Sequence, residues 1–211
     1  MIPKIVHRTV PKVRTKLMNY CWDSVIQYTP DWEHMTHEDD DDYALVGPFL
    51  PLCKEGAFRA DLIRLEVLYR YGGVYLDSDV ELFRSIDPLL NDKMFLVKEQ
   101  DSYLMNAIMG TVPNNQVILE MIDLSISILA NDGMMPERPR HVKDALQTQK
   151  IPYSFGPYVI DRIGMKYSEV TKLPSKAFHT FYPVVDTDTD LLKKDPEVYG
   201  MHAYVGSWLG A

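Results

Sequence analysis

The stretch at 57–83 constrains this chain more than any other, because it reads as a helix, a glycine break and a short strand that ends in carboxylates. Good helix formers fill about three turns, and the glycine pair at 72–73 follows where a helix commonly ends on a left-handed residue. The next three residues are apolar, short enough for a buried central strand. Asp77 and Asp79 come directly after it. The stretch therefore predicts an α/β fold with two carboxylates at the carboxyl end of a strand, where open α/β sheets bind ligands.

Two charged residues of this helix fall on its apolar face. At about 100° per residue, Arg59, Glu66 and Arg70 form one polar stripe, whereas Asp61 and Arg64 lie on the opposite side. A buried charge is costly unless it is paired or used. Two interpretations stay open: an internal ion pair between residues three apart, or a charged pair that serves a ligand site.

The Asp-x-Asp triplet alone carries little information here, because it occurs five times, at 39/41, 40/42, 77/79, 186/188 and 188/190. The pair at 77/79 follows a strand-like run, whereas 38–42 is a polar charge run and 186–190 alternates with threonine. Residues two apart on a strand point the same way, so we expect Asp77 and Asp79 to face one crevice. Two oxygen ligands with room for phosphate and water suit Mg²⁺ or Mn²⁺.

The segment holds Asp61, Arg64, Gly-Gly-Val-Tyr at 72–75 and Asp-Ser-Asp at 77–79, in that order. This order resembles the sugar-nucleotide-binding segment of the DXD glycosyltransferases, in particular the family-32-like group, which is similar to the glucosylating domain of large clostridial toxins. Helix, break and strand must keep their spacing together, so the resemblance is more specific than the triplet. It implies a GT-A type α/β fold, with a mixed, mostly parallel sheet flanked by helices, and Mn²⁺ or Mg²⁺ as cofactor.

Length and charge fit that expectation. The 211 residues predict a single domain over 1–211, with a nucleotide-sugar-binding half at 1–100 and an acceptor half at 101–211 whose C-terminal end returns to the active site. A net charge of −8 argues against a nucleic-acid partner. An acidic protein that binds a diphosphate needs a metal, an arginine or a helix N-terminus at the site.

Cysteine usage and hydropathy bear on the compartment. Cys21 and Cys53 are too few for a disulfide scaffold and lack metal-ligand spacing, so a reducing compartment is the default. No run of 18 apolar residues and no signal peptide is visible. We therefore expect a cytoplasmic protein without a membrane segment, or a fragment of a longer protein.

The remaining sequence continues the α/β pattern. Strands are predicted at 2–10, 32–35 and 93–98, and helices at 19–28, 116–130 and 158–165. In the first of these helices Trp22, Val25 and Ile26 are expected to face inward. The first strand resembles the family strand that contributes to the nucleotide pocket, which implies contacts from His7, Arg8 and Thr9 with the base. A plain strand without ligand contacts is the alternative.

The second half of the chain also resembles the family at several points. Asn106 is expected to line the sugar site, and Ser-Phe-Gly-Pro at 154–157 resembles a Thr-Gly-Pro turn that shapes the acceptor end. The tail resembles the family's C-terminal His…Ser-Trp motif. The resemblance implies that His202 completes the metal shell with Asp79, and that Ser207 and Trp208 contact the diphosphate.

The resulting hypothesis is a metal-dependent glycosyltransferase that uses a nucleotide-sugar donor, UDP-linked with GDP next in line, and a hydroxyl of a glycan acceptor. Retention of configuration is implied by the resemblance, and no residue is marked as a nucleophile. Asp79, His202 and Asp77 are the expected metal-site residues, and Tyr75 is expected to pack under the sugar or ribose. The residues expected to bind the nucleotide sugar are His7, Arg8, Thr9, Asp61, Arg64, Tyr75, Asp77, Ser78, Asn106, Ser207 and Trp208.

Two other functions compete with this hypothesis. A metal-dependent phosphohydrolase or nucleotidyltransferase also uses paired aspartates, but two-metal chemistry usually needs more clustered carboxylates. A non-enzymatic calcium- or carbohydrate-binding module would use the acidic stretches at 38–42 and 186–197. Read as a calcium loop, the second stretch has Leu191 where the sharp turn needs glycine and Lys193 two positions later.

Overall fold

Helices and strands alternate along most of the chain in this computed structural model, which describes residues 1–53, 56–130, 156–180 and 188–204. The α-helices in those ranges are α1 (Lys16–Tyr28), α2 (Gly56–Tyr71), α3 (Gln116–Ala130), α4 (Gly156–Gly164) and α5 (Thr189–Lys194). The strands are β1 (Ile5–Thr9), β2 (Glu33–His37), β3 (Gly73–Leu76), β4 (Val80–Leu82), β5 (Met94–Glu99), β6 (Tyr103–Thr111), β7 (Thr171–Leu173) and β8 (Gly200–His202). Short 3₁₀ helices cover Gly47–Leu52, Asp87–Asn91 and Ser175–Phe178.

A six-stranded sheet in the order β2-β1-β3-β6-β5-β7 organises the fold. β1 is parallel to β2 and β3, and β5 is parallel to β7, whereas β6 is antiparallel to both β3 and β5. The predicted mixed, mostly parallel sheet is therefore confirmed. A separate two-stranded ribbon joins β4 to β8 in antiparallel register.

The glycine pair at 72–73 makes the junction between α2 and β3. Its two φ angles are 65° and 92°, in the region where a side chain brings strain. A Cβ on Gly73 would also stand 2.5 Å from the carbonyl oxygen of Ile5 on β1. The predicted helix, break and strand are confirmed, and the helix, with 16 residues, is about one turn longer than predicted.

Apolar side chains cover both faces of the sheet. One core lies between the sheet and α2, α3 and α4, and the other includes residues of α1, β4 and the sheet. Val25 of α1 is buried as predicted, but Ile26 is 43% exposed, so its inward assignment was wrong. Within the described ranges no helix has the length and apolar content needed to cross a membrane.

Glu66 departs from the polar stripe predicted for α2. Its side chain is buried, and its Oε2 accepts hydrogen bonds from the backbone N–H groups of Leu45 (3.0 Å) and Val46 (2.8 Å). The carboxylate satisfies donors at the start of the 3₁₀ helix Gly47–Leu52, which explains why a charge is tolerated there. Arg70 on the same stripe is exposed as predicted.

A buried pair of histidines links β1 to β2. His7 Nε2 lies 2.8 Å from the carbonyl oxygen of Gly72, and His7 Nδ1 lies 3.0 Å from Nε2 of His37. A carbonyl oxygen only accepts, so neutral His7 carries its proton on Nε2 and accepts from His37 at Nδ1. Burial lowers the pKa of His7 to about 4, against the opposing effect of the Gly72 carbonyl. Burial therefore favours the neutral form of both imidazoles.

Acidification is expected to remove a stabilising contribution of His7, while the raised pKa of Asp61 acts in the opposite direction over the same pH range. The folded pKa of His7, about 4, lies below the unfolded value of 6.5. The unfolded chain takes up the proton first, and stability is lost as the pH falls through that window. Between pH 7 and pH 4.5 the loss corresponds to about 2 to 3 kcal/mol. Urea unfolding of wild type and His7→Gln at both pH values measures this loss as the difference between their pH dependences. Equal pH dependences in the two proteins would refute the assignment.

Candidate active site

The Asp-Ser-Asp triplet at 77–79 lies in a turn that leaves the sheet. The N–H of Asp77 donates to the carbonyl of Ala107 at 2.8 Å, and the N–H of Val80 donates back to the carbonyl of Asp77 at 3.0 Å. The chain then enters β4. Strand alternation was expected to align the two carboxylates. That reason was wrong, because β3 ends at Leu76 and neither aspartate belongs to the strand. The turn nevertheless brings the carboxylates together, with Ser78 half-buried between them.

The β4–β8 ribbon brings His202 to this turn. His202 is paired with Val80, and the N–H of Ala203 donates to the carbonyl of Asp79 at 3.0 Å. His202 Nε2 lies 3.2 Å from Asp79 Oδ1. Asp77, Asp79 and His202 each offer one ligand atom, and these atoms lie within 4.8 Å of one another. Among the described residues, this is the group in which three His, Cys, Asp or Glu side chains lie close enough to share a metal ion.

The donor set of this group fits a divalent cation. Carboxylate oxygens with one imidazole nitrogen are ligands that Mn²⁺ accepts, with Mg²⁺ the harder alternative. The side chains of Asp77 and Asp79 are 26% and 16% exposed, so the carboxylate side stays open to further ligands. His202 Nδ1 is buried and has no hydrogen-bond partner among the described residues.

Burial and neighbouring charges determine the protonation of this group. Burial on its own lowers the pKa of His202, but the carboxylates of Asp79, Asp77 and Glu99 together raise it above its ordinary value. Burial raises the pKa of Asp77, against the opposing effect of the Arg64 guanidinium. The neighbouring carboxylates therefore favour the protonated form of the His202 imidazole.

Arg64 joins the helix α2 to the turn. Its Nη2 lies 2.9 Å from Asp61 Oδ1, and its Nη1 lies 3.1 Å from Asp77 Oδ1. The same Nη1 donates to the carbonyl oxygen of Asn106 at 2.6 Å, and the guanidinium lies 4.6 Å from the ring centroid of Tyr75. The internal ion pair of the first interpretation is therefore present, and its arginine also contacts the first aspartate of the triplet. A ligand site served by this pair stays a prediction.

Asp61 is held from three directions. Besides Arg64, Asn106 Nδ2 donates to Asp61 Oδ1 at 2.6 Å, and the backbone N–H of Gly156 donates to the same carboxyl group. Burial raises the pKa of Asp61 to about 6, and Arg64 is the largest opposing influence. Asp61 and Asn106, both expected at the sugar site, therefore lie in one network with Arg64.

Tyr75 and Thr9 extend the network to β1. The Tyr75 hydroxyl donates to Asp77 Oδ1 at 3.0 Å, so Thr9 Oγ1, at 2.7 Å, donates to the Tyr75 oxygen. Tyr75 is fully buried, and the Arg64 guanidinium covers its ring. In this structure Tyr75 therefore orients Asp77 by its hydroxyl, and the predicted packing under the sugar or ribose remains a prediction.

The other expected base contacts lie inside the fold. Both ring nitrogens of His7 already form hydrogen bonds, with Gly72 and His37. The Arg8 side chain is buried and donates to the carbonyl of Met18 at 3.3 Å and to Thr36 Oγ1 at 3.1 Å. Base contacts from these two residues stay a prediction.

The predicted diphosphate contacts Ser207 and Trp208 lie outside the described residues. The same holds for Ser154 and Phe155 of the predicted acceptor turn, for the predicted loop at 131–140 and for the start of the acidic stretch at 186–197.

Glu99 and Tyr204 belong to the site but were missed in the sequence. Glu99 ends β5 and is 5% exposed, and its carboxylate contributes to the raised pKa of His202. The ring centroid of Tyr204 lies 4.0 Å from that of His202. Neither residue stands in a motif. The one sequence signal for Tyr204 was its position as an aromatic residue two places after His202.

A family described as "Glycosyltransferase sugar-binding region containing DXD motif" matches residues 15–96. The matched span runs from the N-cap of α1 into β5, so it contains α2, β3 and the 77–79 turn. His202, Asn106 and Gly156 lie beyond it.

Two curated relatives from yeasts are similar to more than half of the chain. "Inositol phosphoceramide mannosyltransferase 3" of Schizosaccharomyces pombe is 29% identical over 133 residues, which is 57% of this chain and 36% of the relative. "Mannosyl phosphorylinositol ceramide synthase CSH1" of Saccharomyces cerevisiae is 31% identical over 134 residues, 58% of this chain and 35% of the relative. The matched part thus spans about a third of the length of these relatives.

Solved structures of glycosyltransferases share the fold. "PaToxG Glycosyltransferase" superimposes with a TM-score of 0.53 at 16% identity, covering 78% of this chain and 68% of that chain. The ligand-free glycosyltransferase domain from the YGT toxin gives 0.54 at 10% identity, covering 81% and 80%. The resemblance inferred from the sequence is confirmed: residues 15–96 match the sugar-binding region of the DXD-motif glycosyltransferases, in a chain with the GT-A fold.

Proposed function

We propose that the chain is a metal-dependent glycosyltransferase domain that moves a hexose from a nucleotide-diphosphate sugar to a hydroxyl group of the acceptor, with retention. One observation carries the proposal. Asp77 belongs both to the metal-ligand group with Asp79 and His202 and to the Arg64 network with Asp61. A site for the diphosphate and a site for polar sugar hydroxyls therefore adjoin at one residue.

Asp79, His202 and Asp77 would hold the ion, and a bound Mn²⁺ or Mg²⁺ would stabilise negative charge on the departing diphosphate. Asp61 accepts hydrogen bonds and Arg64 donates them, so together they suit the mixed donors and acceptors of sugar hydroxyls. Burial of this pair keeps water from competing for the same groups.

The names of the relatives favour a mannosyl donor. Four of the relatives are named for mannosyl transfer, and one is named an alpha-1,4-N-acetylglucosaminyltransferase. We therefore place GDP-mannose beside the UDP-sugars expected from the sequence. The names also mention inositol phosphoceramide, so a glycolipid headgroup stands beside a glycan as the acceptor.

The competing functions fit the described residues less well. Two-metal phosphoryl transfer usually needs more carboxylates than the group at 77, 79 and 202 supplies. The acidic run at 38–42 is engaged by ion pairs, since Arg59 contacts Asp39 at 2.9 Å and Lys12 contacts Asp40 at 3.1 Å. Asp188 caps α5 with its side chain, so this aspartate serves a helix start.

A donor screen tests the proposal. The chain is incubated with Mn²⁺ and GDP-mannose, UDP-glucose, UDP-galactose or UDP-N-acetylglucosamine, and thermal unfolding is followed. A donor at a hundred times its Kd adds about 2.7 kcal/mol, which raises Tm by about 5 to 10 °C. EDTA should remove the shift, and transfer to an acceptor should follow for the same donor. Release of phosphate or pyrophosphate without sugar transfer would favour the phosphohydrolase or nucleotidyltransferase instead.

A further inference from the structure

Gly156, the first residue of α4, lies against the network of Asp61, Arg64 and Asn106. Its backbone N–H donates to the carboxyl group of Asp61. The first N–H groups of a helix have no partner within the helix, and a carboxylate at this end is favoured by the helix dipole. Asp61 on α2 thus satisfies an N-terminal donor of α4 as well as its ion pair with Arg64.

The space beside Gly156 is already occupied by the same network. A Cβ built at this position would stand 2.3 Å from Asn106 Nδ2 and 2.4 Å from Asp61 Oδ2. The φ angle of Gly156 is outside the left-handed region, so positive φ is not the reason for a glycine here. Space is the obstacle to a side chain here. Asp61 and Asn106 must move to admit one.

Both residues that must move are tightly held. Asn106 Nδ2 lies 2.6 Å from Asp61 Oδ1, and Arg64 Nη2 lies 2.9 Å from the same oxygen. A displaced Asp61 carboxylate would exchange these bonds for others or lose them. The metal-ligand group contains neither Asp61 nor Asn106, and such a displacement reaches its member Asp77 only indirectly, through Arg64.

We propose that Gly156 is a positioning residue for the donor sugar: its N–H orients Asp61, and its missing side chain leaves Asp61 and Asn106 where they meet the sugar hydroxyls. This inference rests on the proposed function. It predicts that a side chain at 156 weakens recognition of the sugar but spares the metal and the bare nucleotide.

Gly156→Ala tests the inference against Gly164→Ala, at the other end of the same helix. A Cβ at Gly164 would meet Leu96 Cδ1 at 2.6 Å, a comparably tight contact with apolar neighbours only. Calorimetry with Mn²⁺ gives the Kd of each nucleotide sugar and of the matching nucleoside diphosphate. The measured quantity is the Kd of the nucleotide sugar divided by the Kd of the nucleoside diphosphate. We expect this ratio to rise about 10- to 100-fold in Gly156→Ala and to stay within twofold of wild type in Gly164→Ala.

A mutant cycle against Asp61→Ala/Asn106→Ala separates positioning from a general loss of packing. If Gly156 acts through Asp61 and Asn106, Gly156→Ala should change the Kd ratio less than twofold in the Asp61→Ala/Asn106→Ala background. A tenfold change in that background, or equal changes in Gly156→Ala and Gly164→Ala, would overturn the inference. If Gly156→Ala does not fold, Asn106→Ala/Gly156→Ala removes the closest contact and is compared with Asn106→Ala in the same way. A wild-type chain that binds no nucleotide sugar would instead overturn the proposed function.

Discussion

Asp79→Ala is expected to weaken Mn²⁺-dependent binding of the nucleoside diphosphate by at least about a hundredfold while the chain stays folded. The carboxylate of Asp79 is one of three side chains in the metal-ligand group, and it also lies 3.2 Å from His202 Nε2. Substituting the partner of a ligand alone typically costs 10- to 100-fold in metal affinity, so losing a ligand should cost at least the upper value. Titration calorimetry with GDP and UDP, with and without Mn²⁺, measures it.

The chain offers a matched control for this substitution. Asp40 is part of another Asp-x-Asp triplet, and its contact is an exposed ion pair with Lys12. Asp40→Ala should leave nucleotide affinity within twofold of wild type, because an exposed ion pair contributes about 1 kcal/mol at most. His202→Ala should behave like Asp79→Ala. Wild-type affinity in Asp79→Ala would remove the metal assignment.

Arg64→Met is expected to have the largest effect on stability, about 3 to 5 kcal/mol, because it leaves buried carboxylates without their cation. The Arg64 guanidinium contacts Asp61 at 2.9 Å and Asp77 at 3.1 Å and donates to the carbonyl of Asn106. Methionine keeps the length of the side chain, so the change removes charge and hydrogen bonds more than volume. Urea unfolding at pH 7 measures the loss.

Arg70→Met is the control, on the same helix but on its exposed side. A surface substitution of this kind usually changes stability by about 0.5 kcal/mol or less. Adding Asp61→Asn to Arg64→Met removes one of the stranded charges and should recover part of the loss. Equal stabilities of Arg64→Met and Arg70→Met would show that Arg64 does not stabilise the buried carboxylates.

The central helix, break and strand were predictable because their signals are local. Helix formers ending at two glycines, followed by three apolar residues, leave few conformations other than a helix that turns into a buried strand. The positive φ angles of both glycines agree with that account. The placement of Asp61 and Arg64 on the inner face of α2 was predictable for the same reason, since helical periodicity decides it.

The assembled site depends on pairings between distant residues, which periodicity does not report. The turn at 77–80 replaced the expected strand alternation, and the antiparallel register of β4 with β8 brings His202 to Asp79. Position 202 was assigned from resemblance to a family motif, and the physical cause is this register. Strand β6 inserts between β3 and β5 and carries Asn106 into the network.

Two buried polar side chains had roles that the sequence did not indicate, because their partners are distant along the chain. Glu66 was expected on an exposed stripe, but it bonds two backbone N–H groups more than 19 residues earlier. Glu99 lies one residue beyond the strand predicted at 93–98, and its carboxylate contributes to the raised pKa of His202. Such roles follow from which backbone donors or charges lie nearby in the folded chain.

A crystal structure of the chain with Mn²⁺ and a nucleoside diphosphate, with the metal located by its anomalous scattering, tests the central claim most directly. The account predicts one strong peak within about 2.5 Å of the Asp79 carboxylate and His202 Nε2, with the diphosphate on its open side. A peak elsewhere, or Asp77 and Asp79 turned into solvent away from the ion, would contradict it.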